Sequence, residues 1–242
     1  MSTRVRPHVA RVLEHTHAVL LPFDGTLCDL FADTDTAAIA NRIQTQLFRR
    51  KHRMSLLVAT VTDPLWMMEY AWKVGPAHGA KAEKLVHDME MSAARTATPT
   101  PGIREVLQAC QVSGRPVAVM GYTCPEAMES HLDAHGLRHL VGPVIGREQR
   151  SRRFRKPNAG AMIRRAVEAL GVKPSDCALV SQYPEGMFAA QDSGTRAIGV
   201  VSEHARRKHL AAAEGSVVVS SLPELADALT TVPPAEAPGA SV

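Results

Sequence analysis

Ten residues constrain this chain more than any other stretch: Ala18-Val19-Leu20-Leu21-Pro22-Phe23-Asp24-Gly25-Thr26-Leu27. A continuous apolar run that stops at a glycine turn reads as a buried strand opening, at its carboxyl end, into a loop. Open α/β sheets bind their ligands beyond such strand ends. The turn Asp24-Gly25-Thr26 is therefore the first place to look for chemistry.

The remainder of the chain alternates between helical and strand patterns. Residues 1–16 carry Val5, Val9, Val12 and Leu13 at helical spacing, and a strand is expected over His17–Leu21. From about Asp29 to Thr98 the pattern is helical, with a stripe at Ala37, Ala38, Ile39, Ile43 and Leu47 and a second apolar piece from Met54 to Val61. Asp63-Pro64 opens a further helix, the Asp as cap and the Pro in the first turn, carrying Trp66, Met67, Met68, Tyr70 and Trp72. The Trp66/Trp72/Met cluster reads first as core of this segment. Another helix is expected over Ala80–Ala94, and Thr98-Pro99-Thr100-Pro101-Gly102 forms a turn-rich hinge.

A helix at Ile103–Cys110 and a strand at Val117–Met120 follow, then a helix from Pro125 to Ala134 and a short strand near Val141–Ile145. Residues 147–156 hold six cations against one acid. The helix Ala159–Leu170 and the strand Cys177–Val180 come next, then the strand Ala197–Val201, the helix Arg206–Ala213, the strand Val217–Val219 and the helix Pro223–Leu229. Alternation of this kind favours a doubly wound parallel sheet. Residues 230–242, rich in Pro, Ala and Gly, are expected to be a disordered tail.

With 242 residues, 45% apolar and 21% charged, the chain can build a sizeable core, and global disorder is excluded. No apolar run approaches the roughly 20 residues that cross a bilayer, and the first residues lack the pattern of a secretory signal. Cys28, Cys110, Cys124 and Cys177 have neither zinc-like spacing nor the density of a disulfide scaffold. A reduced, cytoplasmic protein is expected.

Phe23-Asp24-Gly25-Thr26-Leu27 resembles the first motif of the haloacid dehalogenase (HAD) superfamily, a hydrophobic strand followed by Asp-x-Asp-Gly-Thr-Leu. Lys156-Pro157, then a helix ending in Leu170-Gly171-Val172, resembles its third motif. The segment Ser181-Gln182-Tyr183-Pro184-Glu185-Gly186 lines up with its fourth, Gly-Asp-x-x-x-Asp. The resemblance covers residues 17–229 and is of the phosphoglycolate-phosphatase-like kind. It implies a HAD-like Rossmannoid α/β core over 1–28 and 99–229, with a small all-helical cap over 29–98 inserted after the first strand.

What the resemblance implies about chemistry turns on departures from the family pattern. Pro22 stands where the family has its nucleophilic aspartate, and proline has no atom able to attack phosphorus. Asp24 takes the acid/base position, Gly121 that of the second-motif hydroxyl and Lys156 that of the phosphate-side lysine. Gln182 and Gly186 stand where metal-binding acids are expected. Mg²⁺ wants carboxylates in near-octahedral geometry, so no metal and no cofactor is expected unless Glu185 or another acid compensates. Asp24 and Lys156 cancel in charge, and Arg152, Arg153 and Arg155 would tip the field positive. An anion could then be held without metal by Asp24, Gly25, Thr26, Gly121, Tyr122, Lys156 and Gln182, using turn amides and the lysine.

The function this implies is a binding or regulatory protein that has lost phosphatase activity and recognises an anionic small molecule or a protein partner. An altered hydrolase using Asp24 and Lys156 on a bound water is the alternative. Nucleic-acid or acidic-partner binding through the Arg147–Lys156 loop is a second, disfavoured by the scarcity of aromatics there. Each site residue also has a plain structural reading: Asp-Gly-Thr makes a good turn, Lys-Pro starts a helix, and a cationic run is commonly a solvated loop.

Overall fold

Alternate residues of each strand feed opposite sides of one sheet. The computed structural model describes residues 5–49, 55–148, 159–203 and 205–235. Within them, β1 (Ala18–Pro22), β2 (Val117–Met120), β3 (Val144–Ile145), β4 (Cys177–Ser181), β5 (Arg196–Val200) and β6 (Val217–Val219) form an all-parallel sheet in the order β3-β2-β1-β4-β5-β6. Val19 and Leu21 of β1 enter one apolar cluster with Val117, Val119, Ala178, Val180, Ile198 and Val200. Ala18 and Leu20 enter the other with Ala118, Met120, Cys177, Leu179 and Ala197. This is the two-residue strand period made physical: both faces are dry, so the strands read as unbroken apolar runs.

Helices cover both faces. The first cluster is closed by α1 (Pro7–Glu14), α6 (Ile103–Val112), α7 (Pro125–Ala134) and α11 (Leu222–Thr231). The second is closed by α8 (Ala159–Leu170), α9 (Pro184–Asp192) and the short α10 (Arg207–Leu210). The fold is thus the doubly wound α/β architecture expected from the alternation.

Between β1 and α6 lies a helical segment: α2 (Thr36–Arg49), α3 (Leu56–Ala59), α4 (Pro64–Val74) and α5 (Pro76–Thr96). It has its own apolar cluster, with Ala40, Ile43, Leu47, Met67, Met68, Ala71, Val86 and Met89 at its centre. The Asp63 side chain caps α4, accepting from Leu65 N at 2.8 Å and Trp66 N at 3.2 Å, with Pro64 at the first position as the sequence predicts. The last helix starts earlier than its apolar stripe suggested, at Pro76. Met67 and Met68 are core, whereas Trp66 is 39% exposed and stacks on Tyr70 with ring centroids 5.8 Å apart.

The two connections to this segment run side by side. Thr100 N donates to Leu27 O at 2.8 Å, and Cys28 forms an antiparallel bridge with Pro99. No helix among the described residues is long and apolar enough to cross a membrane.

Candidate functional site

The strand order reverses at β1, with β2 on one side and β4 on the other, so ligand-facing loops should gather at its carboxyl end. Pro22 is the last residue of β1 and pairs in register with Met120. Pairing with β4 runs from Ala18 to Leu20, so the missing proline N–H falls beyond that ladder, where it is tolerated. The chain then folds back on itself. Phe23 N donates to Met120 O at 2.8 Å, Leu27 N to Pro22 O at 3.1 Å, Cys28 N to Phe23 O at 3.0 Å and Gly25 N to Cys28 O at 2.7 Å. Gly25 has a φ of +81°, which an L side chain adopts only with strain.

Asp24 is exposed at the top of this loop, and its Oδ1 accepts from Leu30 N at 2.9 Å. One oxygen of the carboxylate therefore closes the loop, which is the plain structural role, and the side chain still faces solvent. Thr26 is wholly buried, and its hydroxyl is not presented to a ligand in this arrangement. The Gly25 amide is committed to Cys28 O. The Gly25, Leu27 and Cys28 amides are thus spent on holding the turn together, while the Thr26 hydroxyl is buried without a hydrogen-bond partner among the described residues.

Gly121 and Tyr122 continue from β2 and are half-buried. The Gly121 amide donates to Ile145 O at 3.0 Å, so it too is engaged. Burial pushes the Tyr122 phenol above its ordinary value. From β4, Gln182 is 7% exposed and Tyr183 half-buried. Tyr183 covers the turn: a Cβ placed on Gly25 would lie 2.4 Å from Tyr183 Cε2. Its phenol is pushed up by burial and then by the charges of Asp24, Asp29, Glu203 and Glu185.

Four acids thus act on one phenol, while the cations expected to tip the field positive fall on residues 152–156. Among the described residues, Asp29 and Glu203 join Asp24 and Glu185 in raising the Tyr183 phenol. Sequence reasoning missed Asp29, Tyr183 and Glu203. Asp29 lies only five residues past Asp24, but nothing in the linear pattern brings Glu203 to the same place. Lys156, Arg152, Arg153 and Arg155 lie outside the described residues.

The fourth-motif positions are shaped by packing as well as by chemistry. Ser181 Oγ accepts from Tyr183 N at 3.0 Å and donates to Tyr183 O at 3.1 Å. A Cβ on Gly186 would lie 2.3 Å from that same Oγ and 2.7 Å from Ser181 Cβ. The position has no room for a carboxylate while Ser181 stays in place. Pro22 and Gly186 offer no side-chain oxygen and Gln182 only a neutral amide, so these three positions lack the carboxylates that Mg²⁺ prefers. The one group of three His, Cys or carboxylate ligand atoms that converge among the described residues lies elsewhere, at His87, Cys124 and Glu126.

The cationic loop also begins differently from expectation. Arg147 is 2% exposed and forms a bidentate ion pair with Glu90 of α5, itself 0% exposed, at 2.5 and 2.8 Å. Its Nη1 also donates to Tyr122 O at 2.7 Å, and Glu90 Oε2 accepts from Cys124 N at 3.1 Å. Burial works to lower the Arg147 pKa, but the hydrogen bonds and charge of Glu90 more than offset it and hold the guanidinium charged. Arg147 is thus a buried fastener, not a surface cation offered to nucleic acid. The cysteines are equally unavailable as nucleophiles. Burial, reinforced at Cys28 by Asp24 and Asp29, drives that thiol far above its ordinary value. Burial also pushes Cys110 up to about 12 and Cys177 to about 11.

A separate open cleft of about 610 Å³ lies between α2 and α5, lined by Asp33, Asp35, Arg42, Asp88 and Thr96 among others. It is not at the strand tips.

Comparison with known proteins places this geometry. A search of curated proteins found no match. Among solved structures, the chain is similar to CbbY of Rhodobacter sphaeroides in complex with xylulose-(1,5)bisphosphate, at 19% identity over 87% of this chain and 96% of that one, with a TM-score of 0.62. It is also similar to a candidate β-phosphoglucomutase of Thermotoga maritima, at 20% identity over 90% and 100% of the two chains, with a TM-score of 0.58. A third likeness is to a haloacid dehalogenase-like hydrolase of Streptococcus pneumoniae, at 13% identity over 87% and 97%, with a TM-score of 0.57. At these identities the structures speak to the fold. The profile of the haloacid dehalogenase-like hydrolases matches residues 19–200, most of the sheet and the whole helical segment, and the chain belongs to that family.

Proposed function

We propose that this protein uses the HAD fold to bind an anionic small molecule and does not hydrolyse it through an aspartyl-phosphate. The observation that carries this reading is Pro22 at the tip of β1, where the first motif places its nucleophile. The closed position at Gly186 supports it, because an acid cannot return there without displacing Ser181. The helical segment over residues 29–98 acts in this reading as a cap over the strand tips.

The ligand class is a phosphate monoester of a small polyol or sugar. Its support is the family and the bisphosphate named in the CbbY complex. The four acids acting on Tyr183 make the cations of the 152–156 stretch, Lys156 above all, the groups that would have to neutralise them. The test is calorimetric titration with inorganic phosphate and a panel of sugar phosphates, alongside phosphate-release assays with and without Mg²⁺. Binding without release, weakened by Lys156→Ala, is the expected result. Release above the uncatalysed rate that Asp24→Asn abolishes would overturn it.

One observation favours a second reading. The Asp24 carboxylate is exposed and oriented by Leu30 N, as a general acid or base acting on a bound water would be. A pH–rate profile that loses its acidic limb in Asp24→Asn would select this altered hydrolase instead.

A further inference from the structure

A second constellation lies where α5 of the helical segment meets the loop after β2. His87 comes from α5, while Cys124 and Glu126 come from the start of α7, and their ligand atoms all lie within 4.8 Å of one another. We propose that His87, Cys124 and Glu126 form a binding site for a thiophilic divalent cation, zinc above all, that fastens the helical segment to the α/β core.

Ligand chemistry is the first support. One imidazole, one thiol and one carboxylate form a mixed nitrogen, sulfur and oxygen set, which suits Zn²⁺ and not Mg²⁺. Three protein ligands leave a fourth position for water, as in open zinc sites. Metal–ligand bonds of about 2.0–2.3 Å bring tetrahedral ligand atoms to roughly 3.3–3.8 Å from one another. The side chains therefore need to close by only about 1 Å.

The surroundings supply charge and support. Glu90 sits beside Cys124, accepting from its backbone N at 3.1 Å, and is held by Arg147. Glu126 adds an exposed carboxylate to the cluster, next to the buried Glu90–Arg147 pair. Asp88 Oδ1 lies 3.9 Å from His87 Nδ1. Binding converts thiol and cation to a metal thiolate and one released proton, as zinc does at protonated cysteines. Glu126 is exposed and His87 half-buried, which gives the ion a path from solvent.

The consequence is mechanical. A cation here would join the helical segment to the Gly121-Tyr122-Thr123 loop at the tip of β2, beside the turn that carries Asp24. It is independent of whether the strand tips bind a phosphate.

The probe is Co²⁺ added to the full chain, followed by absorbance, with Zn²⁺ as the competitor. The expected result is one equivalent bound, with a near-ultraviolet thiolate-to-cobalt charge-transfer band, visible bands of a tetrahedral ion, and about one proton released per metal at neutral pH. His87→Ala, at a half-buried position that folding tolerates, should weaken binding at least tenfold. Cys124→Ser should remove the charge-transfer band, and Cys110→Ser should leave it. Absence of that band in the native chain, or its survival in Cys124→Ser, overturns the proposal.

Discussion

The tip of β1 and the junction around Glu90 adjoin each other, yet their chemistry is opposite. At the tip, the loop geometry of a hydrolase is complete: Gly25 at positive φ, Asp24 tied to Leu30 N, and backbone hydrogen bonds closing on Pro22 and Phe23. What departs from the family pattern is the side chain at the strand's last position, Pro22. At the junction, no motif announces itself, yet a buried ion pair, a thiol and an imidazole converge. The difference separates two uses of a strand end. A turn can be held by backbone bonds alone, whatever side chain the strand end carries. Beyond its two paired connections, the helical segment meets the core through side chains such as Glu90 and Arg147.

The largest effect should come from breaking the junction. Glu90→Ala leaves Arg147 buried without its bidentate carboxylate and strands the Cys124 amide. Loss of one partner of a buried pair costs about 3–5 kcal/mol, readable as a shift in urea midpoint. Glu90→Leu with Arg147→Met should recover much of that loss, because the uncompensated charge goes too. Asp24→Ala at the exposed tip should cost about 1 kcal/mol or less. Equal costs at the two sites would erase the distinction drawn here.

Acid should weaken the same side of the molecule. His131 of α7 is fully buried, set edge-on against Phe23 at 5.4 Å, with Nδ1 3.3 Å from Ala94 O and His135 beside it. Burial lowers its pKa to about 4 from an ordinary 6.5, the Ala94 contact only partly opposing this. The unfolded chain therefore takes up a proton below about pH 6.5 that the native chain refuses until about pH 4. The stability is whole above 6.5 and falls through that window by up to about 3 kcal/mol. Denaturant unfolding from pH 7 to 4.5 should show this decline, and His131→Phe should flatten it. A flat native profile would mean that the ring is not held neutral.

Much of the architecture was legible in the chain because parallel strands with two dry faces leave unbroken apolar runs, as at Val117–Met120 and Val217–Val219. The Asp63-Pro64 start of α4 was legible for a local reason, since cap and first turn are neighbours in sequence. Pro22 and Asp24 could likewise be placed, because a strand and its turn are contiguous. The set of acids acting on Tyr183 was not legible, because Asp24, Asp29, Glu185 and Glu203 come from separate stretches of the chain. Arg147 was misread for a related reason. Six cations in ten residues look solvated, and nothing local reveals that Glu90, 57 residues earlier, buries the first of them.

Repacking at the tip should give an intermediate effect. Gly186→Asp forces a Cβ against Ser181 Oγ, and overpacking of this kind costs about 1–3 kcal/mol. In Ser181→Gly/Gly186→Asp the obstruction is gone, and the two changes together should be less destabilising than Gly186→Asp alone. Additive costs in that double-mutant cycle would show that Ser181 is not what closes the position.

Gly121→Ser should be nearly silent. A Cβ there would meet Phe23 Cβ at 3.4 Å and Met128 Cε at 4.0 Å, which is ordinary contact, and the residue does not have a positive φ. Its amide would still donate to Ile145 O. The stability change should stay within about 0.5 kcal/mol in thermal or urea unfolding. The second-motif hydroxyl is thus an open vacancy, whereas the fourth-motif acid is shut out by its neighbour. Combining Gly121→Ser and Pro22→Asp with the relieved Ser181→Gly/Gly186→Asp pair and Gln182→Asp then orders the requirements for catalysis. If phosphate release with Mg²⁺ appears only when Ser181 has also been removed, the tip was closed by packing. If it appears with Pro22→Asp and Gly121→Ser alone, the acids Asp24, Asp29, Glu185 and Glu203 already suffice to serve a metal.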